Sequence, residues 1–121
     1  VQAVWMKHAR IGPAQYGEFP KHVEELKGHV LASLTIARER YPNLRLAFLS
    51  SRIYAGYAVT ALNPEPYAYE SAFVARWLIR DQMKGDAGLR WDDAGVDGPF
   101  LRLRQAVDAA DGGRWHNYSL L

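Results

Sequence analysis

The sequence predicts an α/β fold built on a parallel βαβ core. Three observations carry that expectation. The chain opens on a nearly unbroken apolar run, continues into a long helix-periodic segment, and reaches a second short apolar run after a connection of only a few residues. With 121 residues, 49% hydrophobic and 23% charged, the chain is large enough for one core and too apolar for general disorder. A single α/β domain over residues 1–121 is the expected organisation.

Val1 to Met6 is almost wholly apolar, as expected of a strand covered on both faces of a parallel sheet. Lys7-His8-Ala9-Arg10 breaks the run, and Ile11 to Phe19, with Gly12, Pro13 and Gly17, is a loop by its turn chemistry. Pro20 suits the first turn of a helix. From Lys21 to Tyr41 the residues Val23, Leu26, Val30, Leu34, Ala37 and Tyr41 recur at three- and four-residue steps, the mark of a helix laid on a core. Arg38 and Arg40 favour its carboxyl end through the helix dipole, and Pro42-Asn43 stops it.

Leu44 to Leu49 is the second strand. A strand–helix–strand crossover makes the two strands parallel and right-handed, which brings both carboxyl ends to one edge of the sheet. Arg52 to Pro66, carrying Gly56, Pro64 and Pro66, is then a long loop at that edge, where α/β proteins place their sites. A second helix is expected over Tyr67 to Lys84, with Tyr69, Phe73, Trp77 and Leu78 near one face and Gly85 ending it. Asp86 to Pro99 is turn-rich, Phe100 to Ala110 fits a short helix, Gly112-Gly113 breaks it, and Arg114 to Leu121 fits a last strand or a tail. No internal repeat or interdomain linker is visible.

The net charge is only +2 and the basic residues alternate with carboxylates, so no nucleic-acid partner is expected. Leu101-Arg102-Leu103-Arg104, the densest basic stretch, suits an amphipathic helix start or an exposed strand equally well. The absence of cysteine removes disulfides, thiolate catalysis and Cys-based metal sites. No apolar run approaches the roughly 18 residues of a membrane span, so no membrane partner is expected either. A first residue of Val rather than Met, already in strand-like sequence, suggests a processed or trimmed product.

Chemistry is expected where the strands end. Lys7 and His8 come from one, and Ser50, Ser51 and Arg52 from the other, on strands about 4.8 Å apart. A serine hydroxyl needs a neighbouring base to attack an ester carbonyl, and a neutral histidine suits that role near pH 7. Arg52 or backbone donors would then steady an oxyanion. The ordinary alternative is that Ser-Ser-Arg satisfies a turn, since no G-x-S-x-G elbow surrounds either serine. Tyr54 and Tyr57 are placed to line a pocket for a sugar or aryl group.

His22, Glu25 and His29 share a strip of the first helix at i, i+3 and i+7. The strip lacks the H-E-x-x-H pattern and reads as a solvated flank with a Glu25/His29 pair, so no metal and no cofactor are expected. Glu65 and Glu70 flank the entry to the second helix, Glu70 near the positive end of its dipole, and Asp92, Asp93 and Asp97 cluster in the next loop. His116, near the tail, reads as a surface or packing residue.

Val1-Gln-Ala-Val-Trp-Met-Lys-His-Ala9, Tyr41 to Ala58 (with Ser50-Ser-Arg-Ile-Tyr54) and Leu62 to Ile79 (with Asn63-Pro-Glu-Pro-Tyr67) resemble the middle of bacterial proteins related to the SGNH, or GDSL-type, hydrolases. The resemblance implies a flavodoxin-like α/β/α fold, here incomplete, and hydrolysis of esters, including acetylated sugars and lipids. The family's Gly-Asp-Ser, Gly-x-Asn-Asp and Asp-x-x-His-Pro blocks are absent, so none of its catalytic residues maps onto this chain. The chain therefore reads as an internal fragment, with residues 1–85 as the family-like core and 86–121 as a divergent tail.

The expectation is a hydrolase-like protein cleaving ester bonds of small or carbohydrate-linked substrates at a non-standard site. Ser51 or Ser50 is its nucleophile and His8 or Lys7 its base, while Arg52, Tyr54, Tyr57 and Glu70 bind the small-molecule substrate. The alternative is a non-catalytic binding or self-assembling remnant. A two-strand sheet would have open edges, so a homodimer or larger homo-oligomer is expected.

Overall fold

The computed structural model describes residues 1–52, 55, 64–89 and 102–108. In chain order these form β1 (Ala3–Lys7), α1 (Lys21–Arg40), β2 (Leu46–Arg52), α2 (Glu70–Met83) and β3 (Arg102–Asp108), with short 3-10 turns at Pro13–Tyr16, Tyr67–Tyr69 and Ala87–Leu89. The fold is α/β. The strands make one three-stranded parallel sheet in the order β1-β2-β3. In register, Ala3 lies beside Leu46 and Lys7 beside Ser50, while Leu46 lies beside Arg102 and Arg52 beside Asp108.

Because both crossovers step the same way across the sheet, right-handed connections put both helices on one face. The burial agrees. Val23, Leu26, Val30 and Leu34 of α1 and Val74, Ala75 and Leu78 of α2 share one cluster with Ala47, Leu49 and Leu103 of the sheet. Such one-way progression is one half of a doubly wound sheet, and among the described residues no helix covers the other face, so the α/β/α sandwich is incomplete.

Two polar ties fasten the layers. Lys27 of α1 is ion-paired with Asp81 of α2, and its hydrogen bond holds the Asp81 carboxyl below its ordinary value of 3.8. The Gln82 side chain accepts the Leu103 N–H at 3.1 Å and donates to the Leu89 carbonyl at 3.4 Å, clamping β3 and the preceding turn onto α2. Gly85 ends α2 with φ at 80°, a left-handed value that L side chains rarely adopt.

Three expectations are corrected. The helix expected from Phe100 to Ala110 is replaced by β3. In Arg102-Leu103-Arg104 the polar–apolar alternation has the period of a strand, and fully buried Leu103 takes the place in register with Ala47. The sheet therefore has three strands rather than two. β1 is not covered on both faces, since Val4 and Met6 pack on the core while Trp5 is 57% exposed on the opposite side. β2 runs on through Arg52, so Ser50, Ser51 and Arg52 belong to the strand itself and not to the loop after it. Among the described residues no helix is long and apolar enough to cross a membrane.

Leu78 sits at the centre of the cluster, fully buried. Leu78→Ala should lower unfolding stability by about 3 kcal/mol in a urea titration, through lost burial and the cavity left behind.

Candidate functional site

Parallel crossovers deliver strand carboxyl ends and helix amino ends to the same edge, and several of the described candidate groups lie there. β1 ends at Lys7 with His8 following, β2 ends with Ser50-Ser51-Arg52, α1 begins with His22 in its first turn, and α2 begins with Glu70 and Ser71.

Alternation along β2 separates the two serines. Ser50, in register with Lys7, lies on the side of Trp5, whereas Ser51 lies with Leu49 on the helix side. Both are buried. His8 lines a void with Leu26, Val30, Val74 and Ser50, on the helix side of the sheet, and it shares a second void with Ser50, Ser51 and Ser71. Each void measures about 10 Å³, room for no more than a single water. Burial without a compensating charge lowers the His8 pKa from its ordinary 6.5, so the ring is neutral at neutral pH. Among the described residues no hydrogen bond joins His8 to either Ser50 or Ser51.

Ser71 was not anticipated. It falls one turn before Val74 and Ala75 on the buried face of α2, at positions i, i+3 and i+4, so the helical period would have pointed it inward once the face was known. Lys7 is exposed at the strand end, and Arg52 is the last residue of β2. Tyr54 and Tyr57 lie outside the described residues, as do Asp92, Asp93, Asp97 and His116. Glu65 ties its own loop, accepting the Ala55 N–H at 2.6 Å.

Glu70 has a different set of neighbours from the strand-end serines. Its Oε2 lies 3.0 Å from Nδ1 of His22 and 3.4 Å from Nη2 of Arg10. Arg10 also donates to the His22 carbonyl, meets Glu25 at 3.5 Å through Nη1, and stacks 4.1 Å over the Tyr16 ring. A carboxylate so deeply buried needs such partners, and its place as the first residue of α2 adds the favourable end of the helix dipole. The other oxygen, Oε1, is buried with no hydrogen-bond partner.

The strip of His22, Glu25 and His29 therefore divides. His22 turns inward to Glu70, Glu25 meets Arg10, and His29 is exposed. Among the described residues no group of three or more His, Cys, Asp or Glu is arranged to hold a metal.

Around the pair lies an aromatic wall. Tyr67 meets the His22 ring edge-on at 5.3 Å, Phe19 does so at 6.2 Å, and Phe19 packs on Phe73 at 5.1 Å. Phe19, His22, Pro66, Tyr69, Glu70 and Phe73 enclose an open cavity of about 290 Å³.

No family model, curated protein or solved structure matches this chain. Any assignment of function therefore rests on the chemistry of these two clusters.

The buried neutral His8 gives stability a defined pH dependence. Below 6.5 the unfolded chain takes up a proton at His8 that the folded chain does not, until the lowered folded value is reached. His8's contribution is thus fully present above 6.5 and lost as the pH falls through the lowered value. Urea titrations on either side of 6.5 should show His8→Asn losing less stability on acidification than the parent chain.

Proposed function

We propose that the chain is a hydrolase-like protein that cleaves ester bonds of small or carbohydrate-linked substrates at the carboxyl edge of its sheet. The observation that carries this reading is the meeting of neutral His8 with Ser51 and Ser50 around one void. The Ser51 Oγ attacks the ester carbonyl while its proton passes to His8. The resulting imidazolium returns that proton to the departing alcohol, and water then releases the acyl group from Ser51 by the same route. Strand alternation puts Ser51 on the helix side with His8, while Ser50, in register with Lys7, lines both voids that His8 lines and is the alternative nucleophile. The resemblance of the Ser50-to-Tyr54 and Asn63-to-Tyr67 segments to SGNH hydrolases supports the same reaction class.

A second reading, a non-catalytic small-molecule binding module, is favoured by where the space lies. The strand-end voids are water-sized, whereas the cavity beside His22 and Glu70 is large enough for a ligand.

Turnover of a short-chain nitrophenyl ester separates the two readings. The hydrolase reading predicts measurable turnover that falls at least about a hundredfold in Ser51→Ala, the loss expected when a nucleophile is removed. Equal rates in Ser50→Ala, Ser51→Ala and the parent would eliminate a serine mechanism, and no turnover by the parent would leave the binding module.

We further propose that the chain self-associates through the face of the sheet that no described helix covers. Trp5 is 57% exposed there, next to half-buried Phe48 in register with it, and a second copy presenting the same face would cover both. Light scattering should return at least twice the chain mass, with Trp5→Glu shifting the protein to the monomer. A monomeric parent at all concentrations contradicts the proposal.

A further inference from the structure

The cavity between the first turns of α1 and α2 is separate from the serines, and its chemistry is more defined than theirs. Glu70 accepts from Nδ1 of His22, so that nitrogen carries a ring hydrogen, and in the neutral ring Nε2 keeps its lone pair. Arg10 holds the same carboxylate oxygen and the His22 carbonyl, which fixes the ring from behind. His22 is only 5% exposed, and its Nε2 makes no hydrogen bond among the described residues. A hydroxyl entering the cavity that His22 lines finds in this nitrogen an acceptor not already matched by a donor among the described residues. Glu70 Oε1, buried and without a partner, adds a second unmatched acceptor to the same cluster.

The rest of the cavity selects the body of that ligand. Phe19, Phe73 and Tyr69 supply aromatic wall and Pro66 an apolar one. Phe19 and Phe73 already pack tilted at 5.1 Å, an arrangement that a further ring extends. At about 290 Å³ the space sits just below the roughly 300–1,000 Å³ range of small-molecule pockets, enough for one ring with a substituent. Charge narrows the choice further. A cationic donor would approach the Arg10 guanidinium, and an anionic ligand would approach the Glu70 carboxylate, whereas a neutral hydroxyl meets neither penalty.

We propose that this cavity binds a small aromatic ring bearing one hydroxyl, a phenol-class ligand whose O–H donates to Nε2 of His22. The site does not involve Ser51, so it stands whether or not the chain cleaves esters. Glu70 and Arg10 act in it as positioning residues, and Phe19 and Phe73 are the walls against which the ring lies.

The test uses the parent chain and two probes of nearly the same shape, phenol and methoxybenzene, followed by nitrogen-15 NMR of the histidine rings. Phenol should shift the Nε2 resonance of His22 saturably, with a dissociation constant on the order of 1 mM, as suits so small a ligand. Methoxybenzene keeps the ring but has no donor, and should bind at least about tenfold more weakly. Phe73→Ala, at a partly exposed position on the rim, leaves the core intact and should weaken phenol about fivefold. Equal affinity for the two probes would overturn the hydrogen bond to His22. The lack of any saturable shift with phenol, or phenol binding unchanged in Phe73→Ala, would overturn the site. Nitrophenyl-ester turnover reports on Ser51 alone, so failure of one proposal is distinguishable from failure of the other.

Discussion

β2 is the element on which the arrangement depends, because it is paired in parallel on both of its sides. Parallel neighbours cannot be joined by a tight turn, so each connection must carry the chain back along the sheet, and here each does so as a helix. The return path fixes polarity: strands run toward the edge where helices begin. His8, Ser50, Ser51, His22, Glu70 and Ser71 are far apart in sequence, yet this single constraint brings them to one edge. The same constraint, with both crossovers stepping one way, leaves the second face of the sheet bare among the described residues.

The helices had to be fastened to each other as well as to the sheet, and the means differ at their two ends. Through the middle the contact is apolar, Leu26 and Val30 with Val74 and Leu78 in one cluster. Farther along, Lys27 and Asp81 form an ion pair that is partly open to water, so its contribution is modest and sensitive to salt. At the amino ends the tie is buried: Arg10, His22 and Glu70 lie together with little exposure. Removing one member of such a set would leave a buried charge unmatched, and that loss is much larger than the net gain from the intact set. This is why Glu70 is held by two partners on one oxygen, and why its unmatched second oxygen stands out.

Much of the fold was legible because it rests on period and punctuation. The steps Val23, Leu26, Val30, Leu34 have the helical period, and Lys21 to Arg40 is helical; Pro42-Asn43 stops the chain where α1 ends. The parallel βαβ unit followed from the short connection to Leu44. β3 was not legible, because Leu101-Arg-Leu-Arg satisfies a strand and the start of an amphipathic helix alike. Burial of Leu103 opposite Ala47 and the Gln82 clamp decide between them, and both are tertiary facts. The strand ends were off by a few residues for a similar reason: polar Ser50 and Ser51 look like loop, yet both are buried within the ladder. For the site, the approach of His8 to Ser50 and Ser51 at one edge followed from topology. The partnership of His22 with Glu70 did not, since it spans 48 positions and depends on how α1 and α2 are turned about their axes.

The buried trio also bears on the serine cluster, through the chain that joins them. Arg10 is two residues beyond His8, in the connection between β1 and α1, and its guanidinium is held at once by the carbonyl of α1's first turn, by Glu70 at the start of α2 and by the Tyr16 ring. A connection pinned that close to its beginning has little freedom at His8. The imidazole is thereby kept in the groove between the helices, against Leu26, Val30 and Val74, where desolvation keeps it neutral. Glu70 and Ser71 are adjacent, so the carboxylate that orients His22 also sets the first turn from which Ser71 reaches the void shared with His8 and Ser51. The two clusters are joined through the chain, and the position of the His8 ring at the strand-end serines is inherited from an ion pair made two residues farther on.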